Sequence, residues 1–244
     1  MLDTLKLRIY QGQQFIKDIP NAQMREQFRG FPIITEANVD TTICPTGAIS
    51  NSPLSIDMGK CTFCGACSKK CEAIKFSNYY KLASTDRQKL IITEGMLAEE
   101  YNKTAFEVRK EIKKVFGKSL KLRQVSAGGC NGCERELNAC SNVNFDMGRF
   151  GIDFVASPRH ADGIVITGAI SKNMAKALEE TYLAVAEPKI IIVVGACAIS
   201  GGIYQNCEET DRSFFENHKV DLFIPGCPAH PLVIINAILD YIGK

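Results

Sequence analysis

Lys189-Ile-Ile-Ile-Val-Val-Gly195-Ala-Cys197 is an apolar, β-branched run that halts at a glycine and then presents a cysteine. Its composition predicts a strand over Lys189–Val194, and Cys197 then sits in the loop that follows. The same grammar recurs on either side. Val220–Ile224 is followed by Pro225-Gly-Cys227-Pro228, and Leu120–Val125 by Cys130-Asn-Gly-Cys133. Ile152–Ala156 and Gly163–Thr167 complete the strand candidates. Between them, a helix is predicted from Ser171 as N-cap, with Met174, Leu178 and Val185 on one stripe. A last, mostly apolar helix is predicted from Pro231, a first-turn proline. Strands alternating with helices favour a largely parallel, doubly wound α/β sheet over 120–244.

In an open parallel sheet, loops at the carboxyl ends of the strands meet on one edge, where ligands bind. Cys130, Cys133, Cys197 and Cys227 therefore converge from three loops distant in sequence. Gly128, Gly129, Gly132, Gly195 and Gly226 lie beside them and let the backbone approach a bulky group. Four thiolates suit zinc or an iron–sulfur cluster, and spacing alone leaves both open, along with a redox role for the Cys130–Cys133 pair.

A second constellation lies upstream. Cys61-Thr-Phe-Cys64-Gly-Ala-Cys67-Ser-Lys-Lys-Cys71 has the spacing C-x2-C-x2-C-x3-C. Three thiolates at this spacing wrap one face of a cubane, and the fourth comes from elsewhere. A zinc knuckle would use two separated pairs instead. The run resembles bacterial ferredoxins, in which two such runs exchange their fourth cysteines. Cys44-Pro-Thr-Gly-Ala-Ile resembles the end of the earlier run. Counting back gives Asp40, Ala37 and Ile34, so that half-motif has lost its own three ligands. The resemblance implies one [4Fe–4S] cluster on Cys44, Cys61, Cys64 and Cys67. It also leaves Cys71 an orphan facing side chains near Ile34 and Ala37.

The second half carries a more specific resemblance. Gly128-Gly-Cys-Asn-Gly-Cys-Glu134, Phe150-Gly-Ile-Asp-Phe-Val-Ala-Ser-Pro-Arg-His-Ala-Asp162, Gly195-Ala-Cys-Ala-Ile-Ser-Gly-Gly202 and Ile224-Pro-Gly-Cys-Pro228 are very similar to the small subunit of energy-converting [NiFe] hydrogenases. That family includes the hydrogenase of formate hydrogenlyase and is related to the 20-kDa subunit of respiratory complex I. The resemblance implies a flavodoxin-like domain with a second [4Fe–4S] cluster on Cys130, Cys133, Cys197 and Cys227. It also implies a [NiFe]-type large subunit as partner, with further ferredoxin-type and membrane subunits. Complex I subunits place the first two cysteines side by side, so the CxxC favours the hydrogenase branch. The stretch between Gly202 and Val220 is shorter than in close relatives.

The expected organisation is a ferredoxin-like α+β module over 1–90, a helical connector over 91–119 and the flavodoxin-like domain over 120–244. In the connector, Thr104 and Glu107 resemble a capping box, Val108, Ile112, Val115 and Phe116 share a face, and Gly117 marks the stop. The basic residues around it (Arg109, Lys110, Lys113, Lys114, Lys118, Lys121, Arg123) fit a solvated face better than a docking face.

The bulk numbers exclude other classes. The 244 residues are 45% hydrophobic and 23% charged, which argues for a globular chain. A net charge of +2 gives no general case for nucleic-acid or membrane binding. No apolar run reaches the roughly 18–20 residues of a membrane span, and the start lacks a signal-peptide core. The expected location is cytoplasmic, with membrane contact only through partners. Eleven cysteines, an odd number, fit a disulfide scaffold poorly. Among the remaining residues, Glu134 suits proton transfer or an interface as well as helix capping. Arg159 and His160 suit the cluster edge or a structural role equally, His230 a structural role. Cys140 and Cys207 are expected to be ordinary thiols. The expected function is electron relay to or from the large subunit; a complex I-like quinone reductase module and a stand-alone carrier are the alternatives.

Overall fold

The computed structural model describes residues 2–12, 14–35, 38–106, 115–116 and 119–244. The first half carries five short strands: β1 (Pro32–Ile34), β2 (Ile49–Ser50), β3 (Ser55–Asp57), β4 (Ile74–Phe76) and β5 (Ile91–Thr93). Its helices are α1 (Leu2–Gln11), α2 (Ala66–Lys70) and α3 (Ala98–Thr104). β1 pairs antiparallel with β4, and β2, β3 and β5 form a separate antiparallel sheet. Strands this short hold only because Ile34, Ile56, Ile74 and Ile92 are buried in a common core. Each such side chain contributes about 1.5–3 kcal/mol by leaving water.

The second half is a five-stranded sheet of β6 (Leu120–Ser126), β7 (Ile152–Phe154), β8 (Gly163–Thr167), β9 (Ile190–Val194) and β10 (Leu222–Ile224). All neighbours run parallel, in the order β7-β6-β8-β9-β10. Numbered within this half, that is 2-1-3-4-5, the flavodoxin-like order. Every residue of β8 and β9 is buried, as a parallel sheet covered on both faces requires. The intervening helices are α4 (Gly132–Ala139), α5 (Lys172–Ala184), α6 (Ala196–Ser200), α7 (Phe214–Asn217) and α8 (Pro231–Ile242). Ser171 is the N-cap of α5, but by backbone geometry alone, with no side-chain cap bond. β7 is shorter than its sequence suggests, ending at Phe154, and β10 begins at Leu222.

One detail of the connector differs from expectation. Thr104 ends α3 rather than opening a helix, and its hydroxyl donates to the Tyr101 carbonyl at 3.1 Å within the last turn. Glu107, Val108, Ile112, Gly117 and the basic residues Arg109, Lys110, Lys113, Lys114 and Lys118 lie outside the described residues. Of the expected apolar face, Phe116 is buried and Val115 exposed. No helix among the described residues is long and apolar enough to cross a membrane.

The two halves are joined through the outer edge of β10. Ser84 and Phe223 form an antiparallel bridge, exchanging N–H···O bonds of 3.1 and 2.9 Å. An open sheet edge is thereby covered by the chain itself. The covering segment is pinned from behind. The buried Tyr101 hydroxyl donates to the Leu82 carbonyl at 2.7 Å, and the Ser84 hydroxyl to the Ala105 carbonyl at 2.7 Å.

Tyr101→Phe removes that donor and leaves buried carbonyls without it. The expected loss is about 1–3 kcal/mol, read as a lower denaturation midpoint with unchanged slope; an unchanged midpoint would show that the 82–84 segment is held by other contacts.

Candidate metal centre

In the first half, Cys44, Cys61, Cys64 and Cys67 line one cavity together with Ile43, Pro45, Ala48, Ile49, Ile56 and Phe76. Cys71 is not part of that wall. It ends α2, with its N–H bonded to the Cys67 carbonyl, and packs against the core; Ala37 lies outside the described residues. The wall has no charged side chain, yet it offers donors to sulfur. The Ala48 N–H donates to Cys44 Sγ at 3.2 Å and the Phe63 N–H to Cys61 Sγ at 3.3 Å. Phe63 takes a left-handed conformation (φ 51°), and its carbonyl accepts from Arg29 Nε. Arg29 therefore pins the turn between two cysteines from 34 residues upstream, and no spacing rule points to it.

In the second half the cysteines follow β6, β9 and β10, at the carboxyl edge. Cys130 and Cys133 bracket the start of α4, where Asn131 occupies the left-handed region (φ 67°) that asparagine tolerates. Cys197 lies in the first turn of α6. Gly195 precedes it at φ +91°, and a Cβ there would stand 2.5 Å from Cys133 Sγ, so only glycine lets the two loops meet. Gly226 plays the same part before Cys227: at φ +149°, its Cβ would stand 2.4 Å from Ala229 Cα.

Burial dominates the electrostatics of the thiols in both sets. Burial first, then the other sulfurs, pushes Cys61 up to about 12 and Cys197 up to about 11. For Cys133, burial and then the Glu134 charge and the sulfurs of Cys197 and Cys227 push it up to about 12. Deprotonating such buried thiols beside other sulfurs is unfavourable unless cationic metal compensates; a coordinated thiol is held as thiolate. Among the described residues no group of three or more His, Cys, Asp or Glu side chains is arranged to hold a metal ion.

The two sets approach each other. Cys64 and Cys227, both exposed, line one cleft with Phe28, Arg29, Phe63 and His230; burial, then the sulfurs of Cys130 and Cys64, push the Cys227 thiol up. His230 is the N-cap of α8: its Nδ1 accepts from the Leu232 N–H at 3.2 Å, and Phe28 and Phe145 contact its ring edge-on. That is the structural role its sequence position suggested.

Glu134 is 6% exposed and satisfied from the sheet. It accepts from Ser126 Oγ at 2.6 Å and Thr167 Oγ1 at 2.7 Å. Burial pushes its carboxyl up, but these hydroxyls and its own N–H outweigh that, and it titrates below the ordinary glutamate range. Arg159 and His160 lie on an exposed turn directly before the amino end of β8, opposite the edge that carries the cysteines. Cys140 is buried and its thiol donates to the Glu136 carbonyl, while Cys207 is exposed.

Because the Glu134 carboxyl is depressed in the folded chain, its contribution is full above the unfolded pKa of about 4.3 and is lost as pH falls through the lower folded value. Glu134→Gln should melt below the parent at neutral pH and converge on it in acid. Melting curves that stay parallel down to the acid limit would show that the charge contributes nothing.

Comparison with known proteins agrees with this architecture. Residues 130–241 match the family described as NADH ubiquinone oxidoreductase, 20 Kd subunit. A probable membrane-bound hydrogenase subunit of Pyrococcus furiosus is 34% identical over 131 residues, covering 54% of this chain and 78% of that one. Formate hydrogenlyase subunit 7 of Escherichia coli is 39% identical over 136 residues, 56% and 53% of the two chains. An NADH-quinone oxidoreductase subunit of Geotalea daltonii is 39% identical over 115 residues, 46% and 67%. The chain belongs to this family of complex I 20-kDa and hydrogenase small subunits.

Proposed function

We propose that the chain is the electron-relay subunit of a hydrogenase-type complex, holding two [4Fe–4S] clusters. One is held by Cys44, Cys61, Cys64 and Cys67 in a ferredoxin-like module over 1–90. The other is held by Cys130, Cys133, Cys197 and Cys227 on the flavodoxin-like domain over 120–244, with 91–119 as connector. Such clusters supply one-electron carriers whose potential is set by charge, hydrogen bonds and exposure. The observation that carries the reading is that four cysteines of the first half line one cavity, and that one of them, Cys64, shares a cleft wall with Cys227 of the second set. The chain's residues hold the ligands at fixed separation, line the low-dielectric cavity and donate N–H bonds to sulfur; none forms a substrate site in this reading. By the family's pattern the partner is a [NiFe]-type large subunit, and contact with a membrane on its cytoplasmic face runs through further subunits.

A second reading, as an electron-transfer component of a complex I-like quinone reductase, is favoured by the family description and by the NADH-quinone oxidoreductase relative. The CxxC at Cys130–Cys133 favours the hydrogenase reading, and nickel in the purified native complex would decide between them.

The anaerobically purified chain should be brown and carry about eight irons and about eight acid-labile sulfides; stoichiometric zinc with little iron would end the proposal. Cys44→Ala should lose or convert one cluster, while Cys71→Ala should keep both with a modest packing loss. The reverse pattern in iron content and electron paramagnetic resonance would overturn the ligand assignment.

The Cys64–Cys227 approach adds a further outcome. With both clusters reduced, the resonance of the chain should show spin–spin splitting that collapses when only one is reduced. Two independent signals at full reduction would separate the clusters beyond direct contact.

A further inference from the structure

Arg212 reaches the carboxyl edge from a segment that contains no cysteine motif. Its Nη2 donates to the carbonyls of Ala198 and Ile199, both at 3.0 Å. Its Nη1 donates to the Cys197 carbonyl at 3.3 Å and reaches the Ala169 carbonyl at 3.5 Å. Helix α6 has five residues, so its final carbonyls lack intrahelical partners. The planar fork of an arginine suits such an array, and a cation is favoured at a helix carboxyl end. The guanidinium carbon also lies 4.8 Å over the Phe215 ring.

A capping arginine needs no further role, but the charges around this one are unusual. Among the described residues no carboxylate pairs with Arg212. The neighbouring cation, Arg87, is taken by Asp57 through two bonds of 2.8 and 2.7 Å. The sulfur that interacts electrostatically with Arg212 is that of Cys197, whose carbonyl it also bonds. The buried Glu134 carboxylate acts with the opposite sign, its charge raising the thiols of Cys133 and Cys197. Arg212 and Glu134 are thus each bound to neutral backbone or hydroxyl groups rather than to a counter-charge.

We infer that Arg212 is a positioning residue of the carboxyl-edge cluster: it locks the Cys197 loop through carbonyl bonds and holds an unpaired positive charge beside that ligand, opposing Glu134 in setting the cluster's potential. The inference rests on the proposed ligands Cys130, Cys133, Cys197 and Cys227. Reduction adds one negative charge to the cluster. A nearby cation stabilises the reduced form and raises the potential, and a nearby anion lowers it; in a partly buried site both effects are poorly screened. Locking and charge are separable, since lysine keeps the charge without the fork.

The test uses the full chain, prepared anaerobically as wild type, Arg212→Gln, Arg212→Lys and Glu134→Gln. Iron and sulfide content is measured first, then midpoint potentials by titration followed with electron paramagnetic resonance. The cluster on Cys44, Cys61, Cys64 and Cys67 serves as internal reference. Arg212→Gln should move only the carboxyl-edge midpoint, to a more negative value, and Glu134→Gln should move it to a more positive one. Arg212→Lys should keep the wild-type midpoint but lose iron faster on warming. Full iron with an unchanged midpoint in Arg212→Gln would reduce Arg212 to a helix cap and overturn the inference. Should Arg212→Gln shed its iron, Arg212→Lys decides: restored iron at the wild-type midpoint supports the inference, equal loss refutes it. A wild-type chain with only about four irons, all on the first-half cysteines, would instead remove the ligand set itself.

Discussion

Sulfur atoms gathered behind an apolar wall repel one another once they lose their protons. This is the constraint around which both sites are built. In water a thiolate is stabilised by solvent; Cys64, Cys130 and Cys227 keep that contact, but burial is the largest effect on Cys61, Cys67, Cys133 and Cys197 alike. The loops must therefore be held together by something other than the thiols. In the first half the holding groups are backbone donors, the N–H of Ala48 and of Phe63, and the Arg29 side chain that fixes the intervening turn. In the second half they are the steric allowance at Gly195 and the carbonyl bonds of Arg212.

The relation between the two sites depends on a smaller set of contacts. The Ser84–Phe223 bridge attaches the first half to the edge strand β10, two residues before the Pro225-Gly-Cys227 turn begins. Tyr101 and the Ser84 hydroxyl fix the attached segment, and Gln205 Nε2 donates to the Thr46 carbonyl at 3.4 Å from the opposite loop. The chain therefore sets the separation of Cys64 and Cys227 by backbone pairing, a rigid device. Electron transfer falls steeply with distance, and the proposed relay, with its two stations fixed by hydrogen-bonded backbone, would not depend on domain motion to bring them together.

Much of this could be read directly from the residues. β8 and β9 were legible because a strand buried on both faces has no polar positions to blur its limits, and Gly163–Thr167 matches its observed span to the residue. β10 was less so: Val220 and Asp221 precede it, and Asp221 gives its carboxylate to the Ile191 N–H, extending the edge without joining the strand. Thr104 misled because threonine hydroxyls bond a carbonyl four or three residues back as readily as they cap an N-terminus, and here Glu100 and Tyr101 supply those carbonyls. His160 resisted assignment for a topological reason. Its neighbours in sequence are motif residues, yet the chain between β7 and β8 must return to the amino edge before the next parallel strand begins.

Arg29 and Arg212 share the deeper cause of illegibility. A cysteine or a carboxylate carries its chemistry in the side chain, so its type and spacing announce what it does. Both arginines act on backbone carbonyls, which are the same for every residue and become a binding site only when the fold aligns them. Arg29 needs the left-handed turn at Phe63, and Arg212 needs the open end of a five-residue helix. Neither arrangement exists in a local window, since the partners of Arg29 and Arg212 lie 34 and 13–43 residues away. Such residues hold the shape of a cysteine loop without belonging to its motif, so a change there acts on the loop while every cysteine remains in the sequence.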